Sequence, residues 1–288
     1  MADSVREFST ECRVFSGLNN SFLEKVAQYV ERCHLEDGGY FFARVPPSNG
    51  MDTYFAIKSL SILGLKPDQP QATAGFFLDQ MKEGWLDDVI GMFLATEVFS
   101  ELGQVTDDFK RFAGTQVMSL QNTAGGFGAL ENIYIEVPSE LEATYRATKT
   151  LMTIGADFDK EKIAGFTFNL LNPDGGYGRE GHSTLASTYY ATGIHRLLGA
   201  EAGKFATTGE FLRKREENLQ LLFIEDIYWL TMGLANLYQK ISFPDRLLSF
   251  ILDCQRLNGG FSRATRIGIP TLEYTFYALS VLRVLGAL

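Results

Sequence analysis

Basic residues are in short supply. The 288-residue chain carries 26 Lys and Arg against 35 Asp and Glu, a formal net charge of −9. That balance excludes a nucleic-acid partner or an anionic membrane surface, both of which are held by clustered bases. No stretch approaches the about 18 uncharged apolar residues of a membrane span. The opening residues Met1 to Glu7 lack the basic-then-apolar pattern of a secretion signal. No transmembrane anchor is therefore expected, and the expected location is cytoplasmic. Cysteine is scarce as well: Cys12, Cys33 and Cys254 form no framework of paired spacings and fit a reducing compartment. Sustained period-two alternation is missing outside short pieces such as Ile133 to Val137, so a sheet has no obvious source.

What is present is apolar material, 45% of residues, arranged in a repeat. The phrase Gly-Gly-aromatic recurs as Gly38-Gly39-Tyr40, Gly125-Gly126-Phe127, Gly175-Gly176-Tyr177 and Gly259-Gly260-Phe261. Each copy is followed by Thr-aromatic-x-Ala: Thr53-Tyr54-Phe55-Ala56, Thr144-Tyr145-Arg146-Ala147, Thr188-Tyr189-Tyr190-Ala191 and Thr275-Phe276-Tyr277-Ala278. An apolar helix pattern then ends in Gly64, Gly155, Gly199 or Gly286, the residue expected just past a helix C-terminus. Two worn copies fill the gaps, one around Phe93 ending at Gly103 and one around Tyr228 ending near Tyr238. The six aromatics Tyr54, Phe93, Tyr145, Tyr189, Tyr228 and Phe276 fall about 44 residues apart on average, a period typical of two-helix repeats.

A second helical stretch precedes each glycine pair, for example Phe22 to Cys33 and Leu247 to Cys254. Each unit therefore reads helix, tight Gly-Gly reversal, helix, with the aromatic after the glycines plugging the seam between neighbours. The reading is all-α: an N-terminal extension over residues 1–21, then one repeat domain over residues 22–288.

Gln121-Asn122-Thr123-Ala124-Gly125-Gly126-Phe127-Gly128 and Cys254-Gln255-Arg256-Leu257-Asn258-Gly259-Gly260-Phe261, each followed by Thr-aromatic-x-Ala, resemble the repeats of protein prenyltransferase β-subunits and of squalene and terpene class II cyclases. The resemblance covers residues 22–288. It implies an α/α toroid of six helical hairpins, an inner ring inside an outer one, whose central aromatic funnel receives an isoprenoid. It also implies a helical α-subunit as partner, with a homodimer the other assembly left open.

On that frame the first turns of the inner helices bring Asp52, Glu140, Glu142, Thr184, Ser187, Glu225, Asp226, Thr271 and Glu273 to the mouth. Glu142, Glu225, Asp226, Glu273, Asp88 and His182 are the candidate catalytic groups. Asp52, Tyr54, Tyr145, Arg146, Tyr189, Tyr190, Tyr228, Trp229, Tyr274 and Phe276 are the candidate substrate contacts, about half of the eight aromatics being expected to serve packing instead. Acids in a first helical turn also serve as caps, and that reading stands beside the catalytic one.

The sequence departs from the resemblance in two places. The prenyltransferase zinc site needs Asp-x-Cys and a later His at the starts of inner helices; here the fitting positions read Thr271-Leu272-Glu273, Glu140-Leu141-Glu142 and Thr184-Leu185-Ala186. Cys33 and Cys254 fall before glycine pairs on different outer helices, so no metal site is assigned and zinc is not expected. Mouth acids gathering Mg²⁺ is the cofactor hypothesis that stays open. The cyclase acid segment Asp-x-Asp-Asp is matched only by Asp87-Asp88 after Trp85-Leu86, a pair that serves equally as a helix cap. Arg146, Arg179, Arg263 and Arg266 are the bases near the mouth, yet Glu142 stands where the family carries positive charge. Two functions follow: zinc-free binding, with transfer or cyclisation, of a prenyl diphosphate or other long apolar molecule, or a non-catalytic binding or scaffold module. Paired-carboxylate glycan cleavage has the acids but the wrong repeat.

Overall fold

The computed structural model describes residues 18–84, 86–128, 140–218 and 222–288. Cys12, Trp85, Ile133 to Val137, Pro138 and Ser139 lie outside the described residues.

Six hairpins follow one another. The outer helices are α1 (Asn20–Glu31), α3 (Pro70–Lys82), α5 (Asp107–Ser119), α7 (Lys160–Phe168), α9 (Ala206–Glu217) and α11 (Pro244–Asp253). The inner helices are α2 (Gly50–Ile62), α4 (Val89–Glu101), α6 (Glu140–Ile154), α8 (Leu185–Leu197), α10 (Ile224–Asn236) and α12 (Leu272–Val284). Each inner helix packs on the next, and α12 packs on α2, so the ring closes. Outer helices such as α1 and α11 bury one apolar stripe, whereas α4 is buried from Gly91 to Phe99 because other helices surround it. The only ladder among the described residues pairs β1 (Phe261–Ser262) antiparallel with β2 (Pro270–Thr271).

Closure rests on the glycine pairs. The first glycine of each pair has positive φ, 87° at Gly38 and 96° at Gly259, and lies on a backbone carbonyl of the next outer helix. The second lies against an aromatic side chain there: Gly39 on Phe76, Gly126 on Phe166, Gly176 on Phe211 and Gly260 on Tyr29. Any side chain would hold the hairpins apart, which explains glycine at both positions. The aromatic that follows is buried as expected: Tyr40, Phe127, Tyr177 and Phe261 are at most 2% exposed. Burial of each ring contributes on the order of 2 kcal/mol.

The threonine of Thr-aromatic-x-Ala has a structural role that its spacing does not reveal. Its hydroxyl accepts from the backbone N–H of the buried aromatic, Tyr40 to Thr53 at 2.9 Å, Phe127 to Thr144 at 3.0 Å, Tyr177 to Thr188 at 3.0 Å and Phe261 to Thr275 at 3.2 Å. Thr53, Thr188 and Thr275 donate in turn to the carbonyl four residues back, at 2.7 Å. Each glycine turn is thus tied to the first turn of its own inner helix. The helix ends carry left-handed glycines at Gly64, Gly103, Gly155, Gly199 and Gly286, and in the fifth unit Tyr238 takes that conformation at φ 55°.

Candidate functional site

The N-termini of the inner helices converge on one end of the ring. Residues three before, at, one after and four after each repeat aromatic share the stripe facing the hollow, as helical periodicity requires. At the aromatic level Tyr54 meets Phe93 at 5.2 Å and Phe276 at 6.0 Å between ring centroids, Phe276 meets Tyr228 at 5.9 Å, Tyr228 meets Tyr189 at 5.4 Å and Tyr189 meets Tyr145 at 5.8 Å. Between Phe93 and Tyr145 the belt is bridged by cations, the Arg146 guanidinium 5.5 Å and the Lys149 ammonium 5.7 Å from the Phe93 ring centre. The hydroxyls of Tyr189 and Tyr228 bond at 3.0 Å.

Of the eight aromatics expected at the funnel, Tyr54, Tyr189, Tyr228 and Phe276 are buried against neighbouring rings, and Tyr145, Tyr190, Trp229 and Tyr274 are half-buried. An open funnel with a free floor at belt level is not what the residues make: the rings of α2, α4, α10 and α12 touch one another there. The physical reason is size, since six large rings at one level of a ring of six helices fill the space between them.

One turn deeper lies an ion network that the sequence reading missed. Glu97 of α4 is 4% exposed and takes Lys149 of α6 at 2.7 Å and Lys58 of α2 at 3.3 Å, while Lys58 also reaches Glu101. The signal was present: each of these helices carries a charge four residues after its aromatic, Lys58 after Tyr54, Glu97 after Phe93 and Lys149 after Tyr145. Burial disfavours the Glu101 carboxylate, yet hydrogen bonds and charge from Lys58 leave its pKa lowered.

At the mouth, several first-turn acids have partners. Asp88 is the N-cap of α4, accepting from Gly91 N at 2.6 Å. Asp52, 7% exposed, accepts from the Phe42 N–H at 3.1 Å and the Asn49 amide at 3.3 Å, while Asn49 caps the Asp52 N–H at 2.7 Å. Asp88 is the cap that reading expects, whereas in α2 the cap is Asn49 and Asp52 holds the loop at Phe42. The arginines expected to gather an anion pair instead with mouth carboxylates: Arg146 with Glu142, Arg179 with Glu140 and Arg263 with Glu225. His182 lies exposed in the turn before α8, away from the belt.

Glu273 accepts from the Tyr277 hydroxyl at 2.8 Å. Burial raises the Glu273 pKa, and the charges of Glu225 and Asp52 push it further in the same direction. Burial also raises Asp226, again with Glu225 adding to it, and burial raises Asp52. Glu225 is 8% exposed; its Oε1 takes the Arg263 guanidinium Nε at 2.6 Å, and its Oε2 is buried with no hydrogen-bond partner. One turn along α10, the Trp229 indole nitrogen is buried without an acceptor.

The residues present do not fit the zinc site that the resemblance implies. Thr271 caps α12 by accepting from the Tyr274 N–H at 3.2 Å. Cys33 and Cys254 are buried free thiols near the ends of α1 and α11, and burial pushes Cys254 up to about 12, away from the thiolate that zinc needs. Among the described residues no group of three or more His, Cys, Asp or Glu side chains is placed to hold a metal ion.

The fold and its mouth define an α/α toroid. The chain belongs to the prenyltransferase alpha-alpha toroid family, whose domain profile matches residues 6–86 and 88–288. Among solved structures it is similar to Candida albicans protein geranylgeranyltransferase-I complexed with GGPP, with a TM-score of 0.70, 17% identity, and coverage of 91% of this chain and 90% of that one. No curated protein matches the chain. No described helix is long and apolar enough to cross a membrane.

Proposed function

We propose that the protein binds a long apolar chain of isoprenoid type at the mouth of its ring, without catalytic zinc. The observation that carries this is the belt of six repeat aromatics, which on the α6, α8 and α10 side leaves Tyr145, Tyr190 and Trp229 only half-buried. Aromatic rings supply large contact areas at little entropic cost, the property a floppy hydrocarbon needs from its site. The ligand chain then lies on this arc, and not down a free central shaft. The geranylgeranyltransferase-I of similar fold was solved with GGPP, which supports the same ligand size. The bound form works in the cytoplasm, consistent with the free thiols Cys33 and Cys254. A helical partner subunit or a second copy of the chain completes the assembly in this reading.

Catalysis is a second reading, favoured by the place of Glu273 over the belt, where burial, with the charges of Glu225 and Asp52, raises its carboxyl pKa against the Tyr277 hydroxyl that donates to it. An acid so placed suits protonation of an alkene.

The chain has two tryptophans. In a Trp85→Phe variant, Trp229 is the sole tryptophan, and with excitation selective for tryptophan over the tyrosines, titration with farnesol or geranylgeraniol is expected to quench or shift its emission saturably. An unchanged spectrum across the soluble range of both alcohols rejects the binding reading. Incubation with farnesyl and geranylgeranyl diphosphate and Mg²⁺ separates the two functions, since pyrophosphate release or a new hydrocarbon identifies an enzyme and binding without turnover identifies a module.

A further inference from the structure

We infer that the mouth selects an isoprenoid or comparable long-chain ligand bearing a cationic head group, an ammonium, over one bearing a diphosphate. The inference rests on the apolar-chain reading above and adds the chemistry of the head.

The charges decide it. Six inner-helix N-termini point towards the mouth, and their partial positive charge favours anions. That charge is already met by the chain's own groups: Asn49, Asp88, Thr184 and Thr271 cap α2, α4, α8 and α12, and Glu142, Glu225, Asp226 and Glu273 occupy first turns. Three of the four mouth arginines are occupied too, Arg146 on Glu142, Arg179 on Glu140 and Arg263 on Glu225, while Arg266 lies exposed, and Asp52, Asp226 and Glu273 have no paired base. A diphosphate arriving here meets carboxylates whose countercharges are committed to one another.

A separate observation points to a donor-bearing ligand. Glu225 is nine-tenths buried, and while Arg263 holds its Oε1, its Oε2 lacks a partner. A buried carboxylate oxygen without a donor is costly, and an ammonium satisfies it with a charge-assisted hydrogen bond. Asp226 follows Glu225 in the first turn of α10, and Glu273 lies in the first turn of α12, the helix packed beside it, so the Glu225 charge adds to the burial that raises both carboxyls. On the same helix face, one turn inward, Trp229 offers the aromatic surface that best attracts a cation.

The test compares three ligands with one tail: farnesylamine, farnesol and farnesyl diphosphate with Mg²⁺, each titrated calorimetrically into the full chain at neutral pH below its aggregation threshold. The amine is expected to bind at least tenfold more tightly than either of the others. Glu225→Gln, which keeps the side-chain size, is expected to weaken the amine about tenfold and leave farnesol unchanged, and Asp226→Asn to act in the same direction. Diphosphate binding tighter than amine overturns the inference while the apolar-chain reading stands, as does an amine affinity indifferent to both substitutions in proteins that still bind farnesol. Failure of all three ligands overturns both.

Discussion

Gly260 faces the phenol ring of Tyr29, and a Cβ at Gly260 would stand 2.6 Å from the Tyr29 Cζ. The sixth unit is thereby sealed onto the first, with the Gly259 turn on the Lys25 carbonyl beside it. Gly260→Ala is expected to destabilise the protein by about 3 kcal/mol, at the upper end for overpacking. Urea denaturation measures it. A loss within a few tenths of a kcal/mol would show that the ring does not close through this contact.

Thr275 accepts the Phe261 N–H at 3.2 Å in a buried setting, and the equivalent bonds recur at Thr53, Thr144 and Thr188. Thr275→Val keeps the shape and leaves that N–H without an acceptor, at a cost of about 1–3 kcal/mol. Thr275→Ser is expected to recover most of it. If Val and Ser variants denature at the same urea concentration, the hydroxyl has no such role.

Tyr238 holds a left-handed conformation where five other units end in glycine. Tyr238→Gly is expected to relieve about 1 kcal/mol of backbone strain, offset in part by loss of the Arg196 guanidinium 5.0 Å from its ring. The reciprocal change, Gly199→Ala, has open space for its Cβ and is expected to cost about 1 kcal/mol through conformation alone. Opposite signs of the two shifts in thermal midpoint are the diagnostic result.

His195 is 1% exposed, packed at a tilt with centroids 4.5 Å from both Phe168 and Phe205, and its Nε2 lies 3.1 Å from the Tyr177 hydroxyl. Burial lowers its pKa from 6.5 to about 4. Between those values the unfolded chain binds the proton and the folded chain does not, so stability falls as pH drops from about 6.5 towards 4. The integrated loss is on the order of 3 kcal/mol. Denaturation at pH 7 and pH 5 is expected to show about half of it in the native protein, and His195→Gln to flatten that part of the profile. An equal slope in both proteins would rule out this histidine as the source.

Much of the molecule is written in local pattern. Glycine pairs, capping residues, terminal glycines and apolar periodicity are short-range devices, each acting within a few residues, so the six hairpins and the inner-helix starts follow from reading along the chain. Gly103 and Tyr238 keep their place even in the worn copies for the same reason.

The three-dimensional arrangement decided the rest. Arg263 meets Glu225 across 38 residues and Arg179 meets Glu140 across 39, so pairing of the bases that seemed available for an anion depended on how separate units abut. Whether Tyr54 lines a space or fills it depends on Phe93 and Phe276 from two other units. The repeat alone determined a chain of helix pairs. Only packing determined that the last pair closes on the first, that the belt aromatics fill the ring at their own level, and that its mouth carries more acid than base, because excluded volume and charge pairing act between residues that the chain itself keeps far apart.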